Sequence, residues 1–361
     1  MINCVYVHIP FCEKKCNYCA FCSFSLIKKK QEYIEALIKE VKFLYKNEPL
    51  KTLYFGGGTP SLLEIEDIKK IIDCFNTNKN TEITLELNPH NITYQKLIDL
   101  KNIGINRLSV GVQNFDDGIL KTIGRTHNSK EIFETIKNIK LAGFENFSID
   151  LMYGLPNQTL DNWEKTLQIA LQTGAKHISL YGLKIEEGTF FARNLPENLP
   201  SQDEQANMYE LAIEKLGKKY LHYEFSNFAK NENYISKHNS CYWECKNYYG
   251  FGLSVSGYIE NKRYTNTFNF SEYIKNPTQK EYELLSNKEK IEEEIFLGLR
   301  LTKGIDFNQI NKKFSTDIYT QYKKEFDKYL NIGLMQKTPN GVKLSQKGIL
   351  LSNEILCDFI N

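Results

Sequence analysis

The stretch from Tyr6 to Phe24, YVHIPFCEKKCNYCAFCSF, holds Cys12, Cys16, Cys19 and Cys22, four of the nine cysteines in 361 residues. An even spread would place roughly 0.3 cysteine in any eleven-residue window, so chance does not account for the cluster. A disulfide framework fits poorly. The chain shows no secretory signal and is too large to need covalent staples, and an odd cysteine total suits a reducing compartment. Metal ligation fits better, and the spacing bears on which metal. Zinc sites usually bring two separated C-x2-C pairs, or histidines that complete a tetrahedron. Here the pattern is C-x3-C-x2-C on one short loop, with no second pair nearby. Thiolates this close in sequence can wrap a four-iron cubane, with metal–sulfur bonds of about 2.3 Å or slightly less by analogy with zinc. Three thiolates on four irons leave one iron open to another ligand. Buried structural thiols beside a zinc site are the competing reading.

Composition narrows the class. Hydrophobic residues make up 41% and charged residues 25%, the balance of an ordinary globular protein. A formal charge of +2 gives no electrostatic case for nucleic acid or an anionic membrane surface. No apolar run approaches the ~20 residues of a membrane span, so no integral membrane segment is expected. The absence of a targeting segment predicts a cytoplasmic protein.

Away from the cysteine loop, the chain alternates strand and helix. Cys4 to Ile9 is an apolar strand that Pro10 ends by removing a backbone donor. Gln31 to Tyr45 is helical, with Ile34, Leu37, Ile38, Val41 and Leu44 on one face. Strands are predicted over Thr52–Phe55, Glu82–Leu87, Arg107–Val112, Phe147–Met152 and His177–Leu183. Helices are predicted over Ile65–Phe75, Tyr94–Ile103, Lys130–Ala142 and Leu160–Thr173. Six strands alternating with helices make an α/β fold with a parallel sheet and right-handed crossovers, open or closed into a barrel. Periodicity does not choose between the two.

Polar residues recur where these strands end. Gly56-Gly57-Gly58-Thr59 lets backbone N–H and C=O groups approach a ligand, or simply makes a tight turn. It lacks the G-K-[ST] ending of a phosphate-binding loop. Glu86, Gln113 and Asp150 follow at later strand ends, with Arg125 in the loop after Gln113. Carboxylates in a barrel mouth are costly unless paired or bound to a ligand. Helix capping or pairing with Arg125 is the plainer role for them.

Beyond residue 200 the signals change. Asp203 to Leu216 is an amphipathic helix, and an aromatic-rich region follows that contains His238-Asn239-Ser240-Cys241-Tyr242-Trp243. Cys241 and Cys245 read as a helical i,i+4 pair, which is not a metal site by itself. His8 is expected to face the barrel interior. Residues 288–361 form a separate module: helices over Ile291–Leu301, Phe307–Phe314 and Tyr319–Tyr329, then a hairpin of Leu334–Lys337 and Val342–Leu344 turning at Pro339-Asn340-Gly341. This winged-helix-like shape lacks a strongly basic surface, so it reads as a lid or packing domain rather than a DNA-binding one. The predicted units are 1–200, 201–287 and 288–361.

C-x3-C-x2-C after a strand, with Tyr18 just before the third cysteine, resembles the signature loop of the radical S-adenosylmethionine (SAM) superfamily. The fuller string, YVHIPFC followed by YCAF, is similar to the branch that contains the oxygen-independent coproporphyrinogen III oxidases and the HemW heme chaperones. The likeness spans nearly the whole chain. It implies a partial (β/α)6 barrel with its chemistry at the C-terminal strand ends. It also implies a [4Fe–4S] cluster on Cys12, Cys16 and Cys19, with SAM chelating the open iron and an electron from the cluster cleaving the sulfonium to a 5′-deoxyadenosyl radical. By the same likeness Gly57, Gly58 and Thr59 take the methionine end of SAM. Tyr6, Glu86, Gln113, Arg125 and Asp150 surround its nucleoside and carboxylate, and Tyr18 faces the cofactor or a second copy of it. The oxidases carry a further cysteine two positions after the third, where this chain has Phe21, so Cys22 is expected to be a spare thiol.

The HN-x2-YW string resembles the chaperone branch more than the oxidases and makes His238 the candidate heme ligand, with aromatic faces available to the porphyrin. A hydrogen-bonded core histidine is the plainer reading. Three functions compete. The first is a heme chaperone that passes heme to acceptor proteins and draws on an electron donor. The second is a coproporphyrinogen III oxidase acting on a porphyrinogen propionate. The third is a redox or structural metal protein without radical chemistry. Phe21, the HN-x2-YW string and the short lead before the motif, which is expected to leave no room for the oxidases' N-terminal segment, favour the first.

Overall fold

Alternation along each strand decides the architecture. Val5, Val7, Leu53, Phe55, Ile83, Leu85, Leu108, Val110, Ile149, Leu151, Ile178 and Leu180 all lie in one buried apolar core. With a two-residue period, the residues between them point to the opposite face of the sheet. That face carries Tyr6, His8, Thr52, Tyr54, Thr84, Glu86, Arg107, Ser109, Ser148, Asp150, His177 and Ser179. The structure, a computed structural model, describes residues 2–25, 27–90 and 92–360. In it the apolar face packs under helices and the polar face lines the inside of a curved sheet.

The elements follow the predicted alternation: β1 (Cys4–Ile9), α1 (Lys30–Leu44), β2 (Thr52–Gly57), α2 (Ile65–Ile72), β3 (Glu82–Leu87), α3 (Tyr94–Asn102), β4 (Arg107–Gln113), α4 (Asp117–Thr122), α5 (Ser129–Leu141), β5 (Phe147–Tyr153), α6 (Leu160–Gln172) and β6 (His177–Gly182). Local chemistry starts the helices. Thr93 and Thr159 cap α3 and α6, and Asn128 with Glu131 forms a reciprocal capping box on α5. β1 to β6 pair in parallel and in sequence order. The sheet continues past β6 with two antiparallel strands, β7 (Leu221–Glu224) and β8 (Asn227–Ala229), and past β1 with the parallel β9 (Tyr249–Phe251). Among the described residues the edge strands β7 and β9 do not pair with each other, which leaves an open, partial barrel.

The boundary expected at residue 200 therefore falls inside the barrel unit, because residues 221–251 extend its sheet. These strands are short, three or four residues each, and they sit among aromatics and charges that mask their alternation. After β6 come α7 (Phe190–Arg193), α8 (Gln202–Gly217) and α9 (Lys237–Trp243). The buried Trp163 on α6 donates its Nε1–H to Met208 O at 2.7 Å and so fixes α8 to the barrel wall.

Residues 291–359 build a second core around Ile295, Leu299, Ile310, Phe326, Ile355 and Phe359, with a three-stranded antiparallel sheet whose hairpin is Met335–Thr338 and Gly341–Leu344. The predicted helix Tyr319–Tyr329 is broken in two, Ile318–Gln321 and Lys323–Asn331, at Tyr322.

A buried charge pair ties the aromatic region to the barrel. Glu40 on α1 accepts from Gly252 N (2.8 Å), Asn266 Nδ2 (2.8 Å) and Tyr273 OH (2.5 Å), and pairs with Lys280 Nζ. Neither the Glu40 nor the Lys280 side chain has exposed surface. Glu40→Ala should lower the unfolding free energy by about 3–5 kcal/mol, because it leaves a buried ammonium unpaired. Replacing both residues by apolar side chains of similar size should cost far less. Urea unfolding followed by circular dichroism checks this, and a Glu40→Ala loss below about 1 kcal/mol would reject it.

Candidate cofactor site

The cysteine loop leaves the C-terminal end of β1 and is pressed onto the neighbouring strand ends. Phe24 N donates to Pro10 O (2.7 Å) and Cys12 N to Phe24 O (3.1 Å), which closes the loop at its base. Asn17 N and Nδ2 donate to Ile123 O and Thr122 O (3.1 and 2.9 Å), which anchors its far side to the end of α4. Just past β2, Gly58 N donates to Ile9 O (2.8 Å) and Thr59 N to Phe11 O (2.7 Å). A Cβ on Gly58 would lie 2.6 Å from Phe11 O, and one on Gly57 2.4 Å from the His8 ring. The glycines therefore let the loop lie directly on β2. Their amides, which the sequence reading offered to a ligand, are engaged within the protein, since Gly57 N also donates to Glu86 Oε2 (3.2 Å).

Two donors point at the sulfurs. Thr59 Oγ1 donates to Cys12 Sγ (3.7 Å) and Arg125 Nη1 to Cys16 Sγ (3.5 Å). Cys12, Cys16, Cys19 and Cys22 are free of disulfides. Burial pushes the Cys12 and Cys19 thiols up; the Cys16 sulfur adds to both, and Cys12 adds further to Cys19. Three sulfurs thus share one field. Cys22 stands apart: its carbonyl lies 2.8 Å from His8 Nε2, and its thiol faces Ser254. Among the described residues, no three His, Cys, Asp or Glu side chains converge on the point a single ion would occupy. The loop instead sets the Cys12, Cys16 and Cys19 thiols side by side at one strand end. It fits a four-iron cluster, in which each thiolate reaches a different iron, and the donors at Cys12 and Cys16 favour the thiolate form such a cluster needs.

Inside the mouth, the strand-end residues meet. Arg125 Nη2 donates to Asn88 Oδ1 and Gly111 O, both at 2.6 Å, and Asn88 Nδ2 donates to Thr59 Oγ1 (3.0 Å). A Cβ on Gly111 would meet the Arg125 guanidinium at 3.0 Å. Tyr18 lies against Arg125, its hydroxyl pushed up by burial. Tyr6 OH lies 3.2 Å from His8 Nδ1, so both face the interior. Tyr54 OH donates to Glu86 Oε1 (2.7 Å), and Ser109 Oγ to both oxygens of Asp150 (3.2 and 3.1 Å). The carboxylates are satisfied by hydroxyls and an amide, not by Arg125 as the pairing alternative had it. Burial raises Glu86 to about 7, with Asp150 adding to the rise and the Tyr54 hydrogen bond opposing it. Gln113, with φ of +67°, buries an Oε1 that has no protein partner, an acceptor placed for a ligand. Tyr18, Gly57, Gly58, Thr59, Gln113 and Arg125 thus gather beside the cysteine loop, while Tyr6, Glu86 and Asp150 line the barrel interior below it. The sequence reading missed Asn88, Tyr54 and Ser109. Asn88 was within reach, since it stands two residues beyond Glu86 on the same strand face.

His238 is elsewhere. It lies on α9, against the N-terminal ends of β1 and β2, at the closed floor of the barrel and opposite the cysteine loop. It is 2% exposed. Its Nδ1 is 2.9 Å from Thr52 Oγ1 and its Nε2 2.8 Å from Tyr242 OH. Both ring nitrogens are thus engaged within the protein, the arrangement of a hydrogen-bonded core histidine. Cys241 forms a disulfide with Cys4 of β1, and Cys245 lies past the helix end with φ of +46°, so the two are not an i,i+4 pair.

Comparison with known proteins agrees with this geometry. A family model described as the radical SAM superfamily matches residues 6–170, and one described as the HemN C-terminal domain matches residues 285–351. The heme chaperone HemW of Bacillus subtilis (strain 168) is 37% identical over 98% of this chain and 98% of its own length. HemW of Lactococcus lactis is 36% identical over 99% and 97%. The coproporphyrinogen III oxidase HemN from Escherichia coli, a radical SAM enzyme, superposes with a TM-score of 0.87 over 99% of this chain and 90% of its own, at 23% identity. That likeness is one of fold.

Two outcomes are expected. Anaerobically reconstituted protein should be brown with about four irons per chain, and Cys16→Ala should lose the charge-transfer absorbance; full colour in that variant would count against the ligand set. Glu86 titrates near 7 in the fold against an ordinary 4.5, so the folded state holds a proton that the unfolded chain releases. The stability from that proton is complete below about 4.5 and is lost as pH rises through about 7. Without SAM, Glu86→Gln should therefore gain on wild type in melting temperature between pH 5 and pH 8. Parallel curves would refute the shift.

Proposed function

The chain belongs to the HemW family of radical SAM proteins, and on that footing we propose that it binds heme and delivers it to acceptor proteins. One observation carries the reading: identity of 36–37% to heme chaperones runs through virtually the whole chain, including the aromatic region and the C-terminal module, and not only through the barrel. Phe21, 69% exposed on the cysteine loop, supports it. By the resemblance, the oxidases have a cysteine there.

In this reading Cys12, Cys16 and Cys19 hold a [4Fe–4S] cluster, and Tyr6, Tyr18, Gly57, Gly58, Thr59, Glu86, Gln113, Arg125 and Asp150 surround SAM. When bound, the pair supplies one-electron chemistry at a sulfonium. The chain's own residues do the rest. Thr59 and Arg125 hold the sulfurs by donated hydrogen bonds. Gln113 Oε1 accepts from a ligand donor, and Gly57 and Gly58 face the methionine end. Glu86 and Asp150, fixed by Tyr54 and Ser109, present acceptors to the nucleoside.

Heme-acceptor proteins and an electron donor are the proposed partners. Among the described residues no helix is long and apolar enough to cross a membrane. The cytoplasm is the proposed location: seven cysteines are free thiols, as a reducing compartment favours, and the Cys4–Cys241 pair is the exception among the described residues.

Incubation without oxygen with coproporphyrinogen III, SAM and dithionite should yield no protoporphyrinogen, while titration with hemin should produce a saturable Soret band. Protoporphyrinogen formation would overturn the chaperone reading in favour of the oxidase. A Soret spectrum no different from free hemin would remove heme binding.

A further inference from the structure

We infer that His238 is a positioning residue that sets the SAM pocket from the floor of the barrel, an inference that rests on the assignment of Glu86 to that pocket. The argument starts at α9. Its first amides, Lys237 N and His238 N, donate to Glu82 Oε1 (3.1 and 3.4 Å), a carboxylate at the start of β3. Ser236 caps the helix by accepting from Asn239 N, and the Cys4–Cys241 disulfide binds the same helix to β1. α9 is therefore held on three strands at once: β1 by the disulfide, β2 through Thr52 and β3 through Glu82.

From this platform the imidazole projects into the barrel. Its ring stacks on Tyr54 with centroids 4.9 Å apart and planes 25° from parallel, and approaches Tyr6 at 6.3 Å. Tyr6 and Tyr54 themselves stack at 6.0 Å. Three rings thus form one packed layer between the floor and the cofactor mouth. Thr52 and Tyr242 fix the rotation of the imidazole through its two ring nitrogens. Burial, aided by the Arg107 charge, keeps it neutral.

Tyr54 then carries the position upward. Its hydroxyl donates to Glu86 Oε1, and Glu86 Oε2 accepts from Gly57 N at the foot of the cysteine loop. The path from His238 to the mouth is two side chains long, and each step is a direct contact. Without the hydrogen bonds that fix the plane of the imidazole, the stacked Tyr54 ring is free to rotate, which leaves Glu86 short of a donor and loosens the edge of the pocket. Nothing on this path places an iron at His238.

The test uses reconstituted full-length protein. The readouts are SAM affinity by equilibrium dialysis, iron content, and hemin titration by Soret absorbance. His238→Phe keeps a ring and removes both hydrogen bonds. It should weaken SAM binding about tenfold, with iron content and the hemin titration unchanged. Tyr54→Phe should lose a similar factor, and the double variant should lose no more than Tyr54→Phe alone, since both act through one hydrogen bond. Thr52→Val, which leaves the histidine in place, should weaken SAM in the same direction and covers the case in which His238→Phe does not fold.

SAM affinity at wild-type level in His238→Phe, or in Thr52→Val where His238→Phe does not fold, would overturn the inference. So would a double variant whose loss is the product of the two single ones, or a Soret titration abolished by His238→Phe alone. Glu86→Gln tests the premise separately: unchanged SAM binding there removes Glu86 from the pocket and the inference with it.

Discussion

The whole barrel depends on having a polar inside that must be satisfied without bulk water. Most parallel barrels fill this space with branched aliphatic side chains. Here the inward face carries Thr52, Tyr54, Thr84, Glu86, Arg107, Ser109, Ser148, Asp150 and His177, and any of these left without a partner costs free energy. The structure satisfies many of them by layering. His177 lies 2.8 Å from both Ser148 Oγ and Tyr223 OH, and Glu82 takes the first amides of α9. Arg107 is the cation whose charge reaches Glu82, Glu86, Asp150 and Tyr54 alike. Such an interior makes a fixed frame for a ligand at one end, provided the other end is shut.

Closure of that end explains two features that look unrelated in sequence. The aromatic region returns to the barrel as β7, β8 and β9, which widen the sheet, and as α9, which seals its base. The HN-x2-YW string then acts as a junction. His238 faces the barrel, Tyr242 bonds the histidine, and the Trp243 ring lies 4.9 Å from the guanidinium carbon of Arg300, which follows the first helix of the C-terminal module. The same guanidinium lies 5.2 Å from the Phe225 ring, so the module is docked on the barrel by cation–π contact as well as apolar burial.

Much of this was legible in the chain. The six strand–helix alternations could be read because each strand buries aliphatics on one face at strict two-residue spacing. The cysteine loop stood out because four thiols fall within eleven residues, whatever they hold. What escaped was set by distance. Asn88 joins Thr59 to Arg125, and Tyr54 joins Glu86 to His238, through partners 29 to 184 positions apart that no local pattern reveals. His238 is hard to read from sequence for a related reason. Histidine beside tyrosine and tryptophan has the same composition whether it faces a porphyrin or packs in a core, and only burial with both nitrogens bonded separates the two.

The fold cannot separate a heme chaperone from an oxidase, because the scaffold of an oxidase superposes on this chain almost end to end. The difference has to sit in side chains around the mouth, and Phe21 is where it can be argued. A phenylalanine 69% exposed between Cys19 and Cys22 gains nothing from the fold itself, since its ring is left in water. Tyr18, Cys19 and Phe24 on the same loop are half-buried and held by the protein. An exposed ring next to a cofactor mouth is suited to a flat apolar partner that covers it on binding and leaves again, which is what transient carriage of a macrocycle demands. A cysteine at that position would contribute a ligand or a reactive thiol. A phenyl ring contributes only a surface, and a protein whose role is to hold and release cargo has use for a surface there.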